Sequence, residues 1–219
     1  EYMREHGGVP LPAEEIVEWM IDAVIAGLHR SITWRPGARE LLAELTEAGV
    51  PCALVTMSWR RLAEPVVAAL PPGAISVAVT GDAVQRGKPH PDPYVLAASR
   101  LGVDPADCVA IEDSPTGLRS AVAAGCRVVA VPNVIPLEPS PDVTVVDSLR
   151  DLSLDDLEAL FEGAPPRLPV LPDRDVDVAR EPSHARPRRS GDDLPPDGEW
   201  WRHPWALIGV LAVVATLAV

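Results

Sequence analysis

The stretch VAIEDSPTGLRSAVAAG, residues 109–125, decides the fold. Three apolar or small residues run into Glu112 and Asp113, a Ser-Pro pair follows, and a small-residue segment closes on Gly125. This pattern predicts a short buried strand that passes directly into a helix, with two carboxylates at the helix mouth. Adjacent carboxylates repel each other and so call for a cation. A hard oxygen site at a strand end suits Mg²⁺, which takes one or two carboxylates together with waters and a substrate phosphate. The residues alone equally allow Asp113 to cap the helix, with Glu112 exposed.

Outward from this stretch, short apolar runs alternate with helical periodicities. Residues 14–28 place Ile16, Val17, Met20, Ile21, Val24, Ile25 and Leu28 on one helix face. In WRPGARELLAELTEAGV (34–50), Pro36 stands near a helix start, Leu41, Leu42 and Leu45 form a buried stripe, and Gly49 is a C-terminal stop. PCALVT (51–56), AISVAVT (74–80), DCVAIED (107–113) and CRVVAVP (126–132) read as strands, and VTVVDS (143–148) as a fifth. Helices are expected over 58–70, where Pro65 should kink or split the helix, over 93–101, and over 115–124. A last amphipathic helix lies in LSLDDLEALF (152–161), where Ser153 and Asp156 resemble a capping box. The alternation from about residue 36 to 161 predicts an α/β fold: a Rossmann-like parallel sheet with helices on both faces. Ligands in such sheets bind beyond the carboxyl ends of the strands, where Thr56 and Asp113 stand.

Two further segments fall at the same sheet edge. In LVTMS (54–58) the Thr56 hydroxyl ends a strand, and the amides of Met57 and Ser58 open the next helix, an arrangement that suits phosphate. In RGKPHPDPY (86–94) Lys88 follows a strand, from where it can neutralise a carboxylate and a phosphoryl oxygen. Each also has an ordinary reading, Thr56 or Ser58 as a helix cap and Lys88 as a solvated loop charge. His6, His29, His90, His184 and His203 do not cluster.

The formal net charge of −13 argues against a nucleic-acid partner, because such binding depends on Lys and Arg neutralising phosphates. Cys52, Cys108 and Cys126 are widely spaced and read as reduced, buried thiols of a cytoplasmic domain. Residues 162–204 are punctuated by proline and charge, and predict an extended, disordered linker. Residues 205–219 carry no charge and are almost wholly apolar. Fifteen helical residues reach about 22 Å, short of the roughly 30 Å hydrocarbon core. The expectation is the first part of a transmembrane helix, with Trp200, Trp201 and Trp205 at the interface and a basic flank (Arg186, Arg188, Arg189, Arg202) on the cytoplasmic side. The alternative is a buried terminal helix of the domain.

Taken together, LVTMS, GKPHPDPY and IEDSPTGLRSAVAAG, in this order on this background, resemble the second, third and fourth motifs of the haloacid dehalogenase superfamily of phosphohydrolases. The likeness extends over residues 10–161. The Glu-Asp-Ser-Pro form resembles the subgroup of sugar-phosphate phosphatases, phosphoglycolate phosphatase and β-phosphoglucomutase. PGARELLAEL (36–45) resembles the segment that re-enters the core after a helical cap. The resemblance implies a partial cap over residues 1–34, a core over 35–161, the linker 162–204 and the membrane segment 205–219. It implies a Mg²⁺-dependent phosphatase of a small phosphorylated metabolite, acting through an aspartyl-phosphate. Thr56, with Met57 and Ser58, would bind the phosphoryl group, Lys88 would stabilise it, Asp113 would hold Mg²⁺, and Glu112 would be co-ligand or act through water. The family's Asp-x-Asp on the first strand has no counterpart in residues 1–30, and DRDVD (173–177) lies in the Pro-rich tail. The first residue is Glu1, not Met. The expectation is an inactive, truncated fragment lacking the sheet's central strand. A β-phosphoglucomutase-like phosphomutase and a non-catalytic membrane-tethered module are the alternatives.

Overall fold

The period of two along each strand sorts the core into two layers. In the computed structural model, which describes residues 11–133, 135–137, 140–162 and 209–211, the helices are α1 (Ala13–Arg30), α2 (Ala38–Glu47), α3 (Arg60–Ala68), α4 (Asp92–Leu101), α5 (Pro115–Ala124) and α6 (Leu154–Ala159). The strands are β1 (Cys52–Val55), β2 (Val77–Val79), β3 (Cys108–Glu112), β4 (Arg127–Ala130), β5 (Val143–Val145) and β6 (Gly209–Leu211). On one face Ala53, Val55, Cys108, Ala110, Val128 and Ala130 pack with Tyr94 and Ala97 of α4 and Leu118 and Ala121 of α5. On the other face Cys52, Val109, Ile111 and Val129 meet Leu41, Leu42 and Leu45 of α2 and Leu157 of α6. All residues of β1 and β3 are buried, which is why β1 and the first four residues of β3 are apolar runs.

The sheet order is β2-β1-β6-β3-β4-β5, and each pairing between these strands is parallel. The doubly covered parallel sheet expected from the alternation is therefore present. The vacant centre is not: Gly209–Leu211 runs between β1 and β3, pairing Val210 with Cys52 and Val109, and Leu211 with Ala53 and Ala110. This corrects the membrane expectation at those three residues. A strand buried on both faces and a membrane helix both demand an unbroken apolar run, so the sequence of 205–219 satisfies either solvent. Among the described residues no helix is long and apolar enough to cross a membrane. The first ten residues of the expected cap, the linker from residue 163, and the rest of 205–219 lie outside the described residues.

Local signals held well. Helix α5 starts at Pro115 and stops at Gly125, whose φ of 88° a glycine adopts without strain. Ser153 and Asp156 form a reciprocal capping box on α6. Helix α3 begins two residues later than expected, and it accommodates Pro65 in its interior. In α1, Ile16 and Ile21 are buried, but Val17 and Met20 are 44% and 48% exposed, so only part of the anticipated apolar face is covered. Cys52, Cys108 and Cys126 are free and buried, and burial pushes the Cys52 and Cys126 thiols up to about 12.

Candidate active site

The carboxyl ends of β1 and β3 open on a cavity of about 190 Å³ whose wall includes Thr56, Met57, Ser58, Lys88, Asp113 and Thr116. The three segments that share chemistry in the sequence thus meet at one sheet edge. The structure redistributes their tasks in detail.

Glu112 and Asp113 turn to opposite faces of the sheet. Consecutive strand residues point to opposite faces. Glu112 has the parity of Cys108 and Ala110 and turns into the α4–α5 layer, where it is 1% exposed. Its Oε1 accepts hydrogen bonds from Lys88 Nζ and from the Tyr94 hydroxyl. Its Oε2 accepts from the Ser114 hydroxyl at 3.2 Å and from the Asp113 amide at 3.3 Å. Ser114, not Asp113, is the N-cap of α5: its Oγ accepts the Gly117 amide proton at 3.0 Å. Both the exposed-Glu112 reading and the Asp113-cap reading are therefore replaced. Gly117 is required here by space, since a Cβ on it would lie 1.9 Å from Glu112 Oε2. The carboxylate is packed beneath the first turn of α5, where the helix dipole favours negative charge.

Asp113 has the opposite parity and faces Arg35, with Oδ2 3.7 Å from Nη1. Arg35 also donates to the carbonyls of Val131 at 3.0 Å and Pro132 at 2.8 Å, just beyond β4. It thereby ties the start of α2 to the loops after β3 and β4.

Lys88 is the link across the site. Its side chain is 9% exposed, and Nζ donates to Val55 O at 3.0 Å as well as to Glu112. An ammonium has three N–H donors, so one remains for a ligand in the cavity. The ammonium also lies 5.2 Å from the Tyr94 ring centroid, within cation–π reach. Burial and the neighbouring Glu112 carboxylate raise the Tyr94 phenol well above its ordinary range, which keeps it a neutral donor. The Lys88 amide meets Met57 Sδ at 3.3 Å. A Cβ on Gly87 would lie 2.7 Å from that sulfur, so glycine there lets the two loops close.

The Thr56 hydroxyl accepts the Ser58 amide proton at 3.1 Å. This local turn occupies the Ser58 amide, which the sequence had assigned to a phosphate, and the helix N-cap is Trp59. The Thr56 hydroxyl proton and the Ser58 hydroxyl remain as donors. For a divalent cation, Asp113 is the carboxylate at the cavity wall whose oxygens are not enclosed by the α4–α5 layer. Among the described residues no group of three or more His, Cys, Asp or Glu is placed to hold a metal by itself.

Tyr94 and Arg35, the partners of Glu112 and Asp113, are residues that the sequence reading missed. Tyr94 is signalled only by its place: a phenol on the buried face of a predicted helix must find a partner. Arg35 carries no comparable signal, since an arginine before Pro-Gly looks like any solvated charge.

The haloacid dehalogenase-like hydrolase family matches residues 1–125. The chain belongs to this family. It is similar to hexitol phosphatase A of Escherichia coli (strain K12), with 48% identity over 102 residues, 46% of each chain. It is similar also to protein CbbY of Rhodobacter capsulatus, with 37% identity over 167 residues, 68% of this chain and 70% of that protein. Among solved structures, CbbY of Rhodobacter sphaeroides in complex with phosphate superposes with a TM-score of 0.62 at 33% identity, covering 68% of this chain and 70% of that one. The present chain thus spans about half the length of hexitol phosphatase A. Its family motifs lie where the resemblance put them, around the cavity at the carboxyl edge of the sheet.

Proposed function

We propose that this chain carries the phosphate-binding and metal-binding part of a Mg²⁺-dependent phosphohydrolase acting on a small phosphate ester. A sugar or polyol phosphate is the favoured substrate class, in keeping with the hexitol phosphatase likeness. The observation that carries the reading is Lys88, nearly buried, bridging Val55 O and Glu112 with one donor left over beside Thr56 and Asp113. A buried ammonium held by a buried carboxylate cannot drift, so its remaining N–H meets a phosphoryl oxygen without reorganisation. The Thr56 hydroxyl donates to a second oxygen of the same group.

Asp113 fits Mg²⁺ as one carboxylate among waters and a phosphoryl oxygen, the usual sharing for this ion. When bound, the ion would offset the charge of the phosphate dianion. Arg35 orients Asp113, and Glu112 orients Lys88; with both Glu112 oxygens engaged by protein, a metal-ligand role for it is dropped. Transfer of the phosphoryl group to a carboxylate needs an aspartate besides Asp113, and none stands among the described residues that line the cavity. This chain is therefore expected to bind phosphate esters without turning them over.

Calorimetry with inorganic phosphate tests the reading. Binding should tighten when Mg²⁺ is added. Lys88→Met should weaken it at least tenfold, about 1.4 kcal/mol. Asp113→Asn should abolish the Mg²⁺ enhancement and leave Mg²⁺-free binding within a few-fold. Phosphate binding indifferent to both substitutions would overturn the assignment. Robust hydrolysis of p-nitrophenyl phosphate would overturn the missing-nucleophile account.

A further inference from the structure

Lys88 reaches the cavity from the connection between β2 and α4, whereas its acceptor Val55 O belongs to the last residue of β1. A lysine has a flexible four-carbon stem, so the ammonium is placed only as well as its backbone is. The far end of the connection is tied to its own helix. Asp92, the first residue of α4, accepts from Arg86 Nε at 2.9 Å and Nη2 at 3.0 Å, and stands 2.8 Å from His90 Nδ1. These contacts hold the loop to itself, not to the phosphate site. The near end is tied across to the β1–α3 loop: Gly81 N donates to Ser58 O at 2.9 Å, and Arg60 N donates to Asp82 Oδ1 at 3.1 Å. A Cβ on Gly81 would lie 2.3 Å from Met57 O. At Lys88 itself the link across is made by a side chain. The Lys88 amide donates to Met57 Sδ at 3.3 Å, and a Cβ on Gly87 would lie 2.7 Å from the same sulfur.

We propose that Met57 is a positioning residue: its sulfur clasps the Lys88 backbone to the end of β1 and so sets where the ammonium stands between Val55 O, Glu112 and a bound phosphoryl group. Met57 is half-buried at the cavity wall and belongs to neither core layer, so filling the core does not account for it. An unbranched thioether suits the place, because its three rotatable bonds follow an irregular gap and its sulfur is a weak acceptor. Leucine at this position would keep much of the bulk and lose the acceptor, leaving the Lys88 N–H without its partner. Gly87 completes the clasp by leaving room for the sulfur. Its backbone lies outside the left-handed region, so a methyl there strains this contact alone.

The consequence for phosphate rests on the proposed function; the clasp itself does not. Residue-resolved amide hydrogen exchange and calorimetry with inorganic phosphate, both on the full chain, test the two separately. Met57→Leu should accelerate exchange at the Lys88 amide at least tenfold, leave the Gly81 amide within twofold, and weaken phosphate binding at least threefold. In a Lys88→Met background the same substitution should weaken the residual binding by less than about 1.5-fold, because the residue it acts through is gone. A general loss of structure would instead weaken binding equally in both backgrounds, and that outcome overturns the positioning role. Unchanged exchange at the Lys88 amide overturns the clasp. Faster Lys88 exchange with unchanged phosphate affinity overturns the positioning role as well. Absent phosphate binding in the unaltered chain, with Lys88 exchange still faster in Met57→Leu, supports the clasp and counts against the pocket reading. Should Met57→Leu fail to fold, Gly87→Ala enters the same contact from the other loop. It should release the Lys88 amide and weaken phosphate binding in the same way; both quantities within twofold of the unaltered chain overturn the inference.

Discussion

Two sets of ion pairs in this molecule use the same chemical groups and do different work. Lys88 meets Glu112 at the sheet edge with side chains 9% and 1% exposed. Arg61 meets Glu18 and Asp22 of α1 at 2.6 and 2.8 Å, with side chains half or more exposed. The exposed set is a cation between two carboxylates one helix turn apart, yet water competes for every one of those charges. The buried pair has no such competitor. It is satisfied only because Tyr94, Ser114 and the Val55 carbonyl complete it. Geometry alone does not rank these contacts; the surrounding dielectric and the completeness of the hydrogen bonding do.

Breaking the buried set should have the largest effect. Glu112→Ala leaves the Lys88 ammonium without its partner in a dry site, and should cost about 3–5 kcal/mol in urea unfolding. A loss under 1 kcal/mol would place Lys88 in solvent. Gly117→Ala attacks the same cluster through space, driving a methyl into Glu112 Oε2. It should cost about 1–3 kcal/mol, and the Glu112→Ala/Gly117→Ala double variant should cost clearly less than the sum, because the clash disappears with the carboxylate. Additive losses would argue against the contact.

Acid titration sharpens the exposed side of the comparison. The Arg86 guanidinium hydrogen-bonded to Asp92 holds that carboxyl below its ordinary range. A depressed folded value means a contribution that is present above the unfolded value, about 3.9, and is lost as pH falls through the lowered one. Arg86→Ala should therefore lower stability slightly at pH 7, with the difference from the unaltered chain closing as pH falls through the lowered value; a difference that widens toward acid pH would reverse the assignment. The smallest effect is expected for Arg61→Ala, whose urea midpoint should coincide with that of the unaltered chain within error. A clear shift would mean that the α1–α3 contact carries more than surface charge.

Much of the molecule was legible beforehand because its signals are local. Ser153 and Asp156 cap one turn, Pro115 and Gly125 bracket one helix, and the apolar runs of β1, β3 and β4 declare strands buried on both sides. Thr56, Lys88 and Asp113 could be named because polar residues at strand ends gather at one edge of a parallel sheet. The hydrogen-bond partners of Glu112 and of the Ser58 amide were not legible, for a reason of scale. Whether Glu112 faces metal or lysine depends on which sheet face its parity selects, and the Ser58 amide depends on a turn only two residues long.

The sequence by itself determined the alternation of strands and helices, the caps, and the set of residues at the carboxyl edge of the sheet, since each rests on interactions within a few residues along the chain. Only the tertiary structure decided that adjacent carboxylates part company, Glu112 to Lys88 and Tyr94 and Asp113 toward Arg35. It alone decided too that Gly209–Leu211 lies at the centre of the sheet. Those outcomes depend on pairing across the fold between groups far apart in sequence, and an apolar run carries no mark of which distant neighbour will bury it.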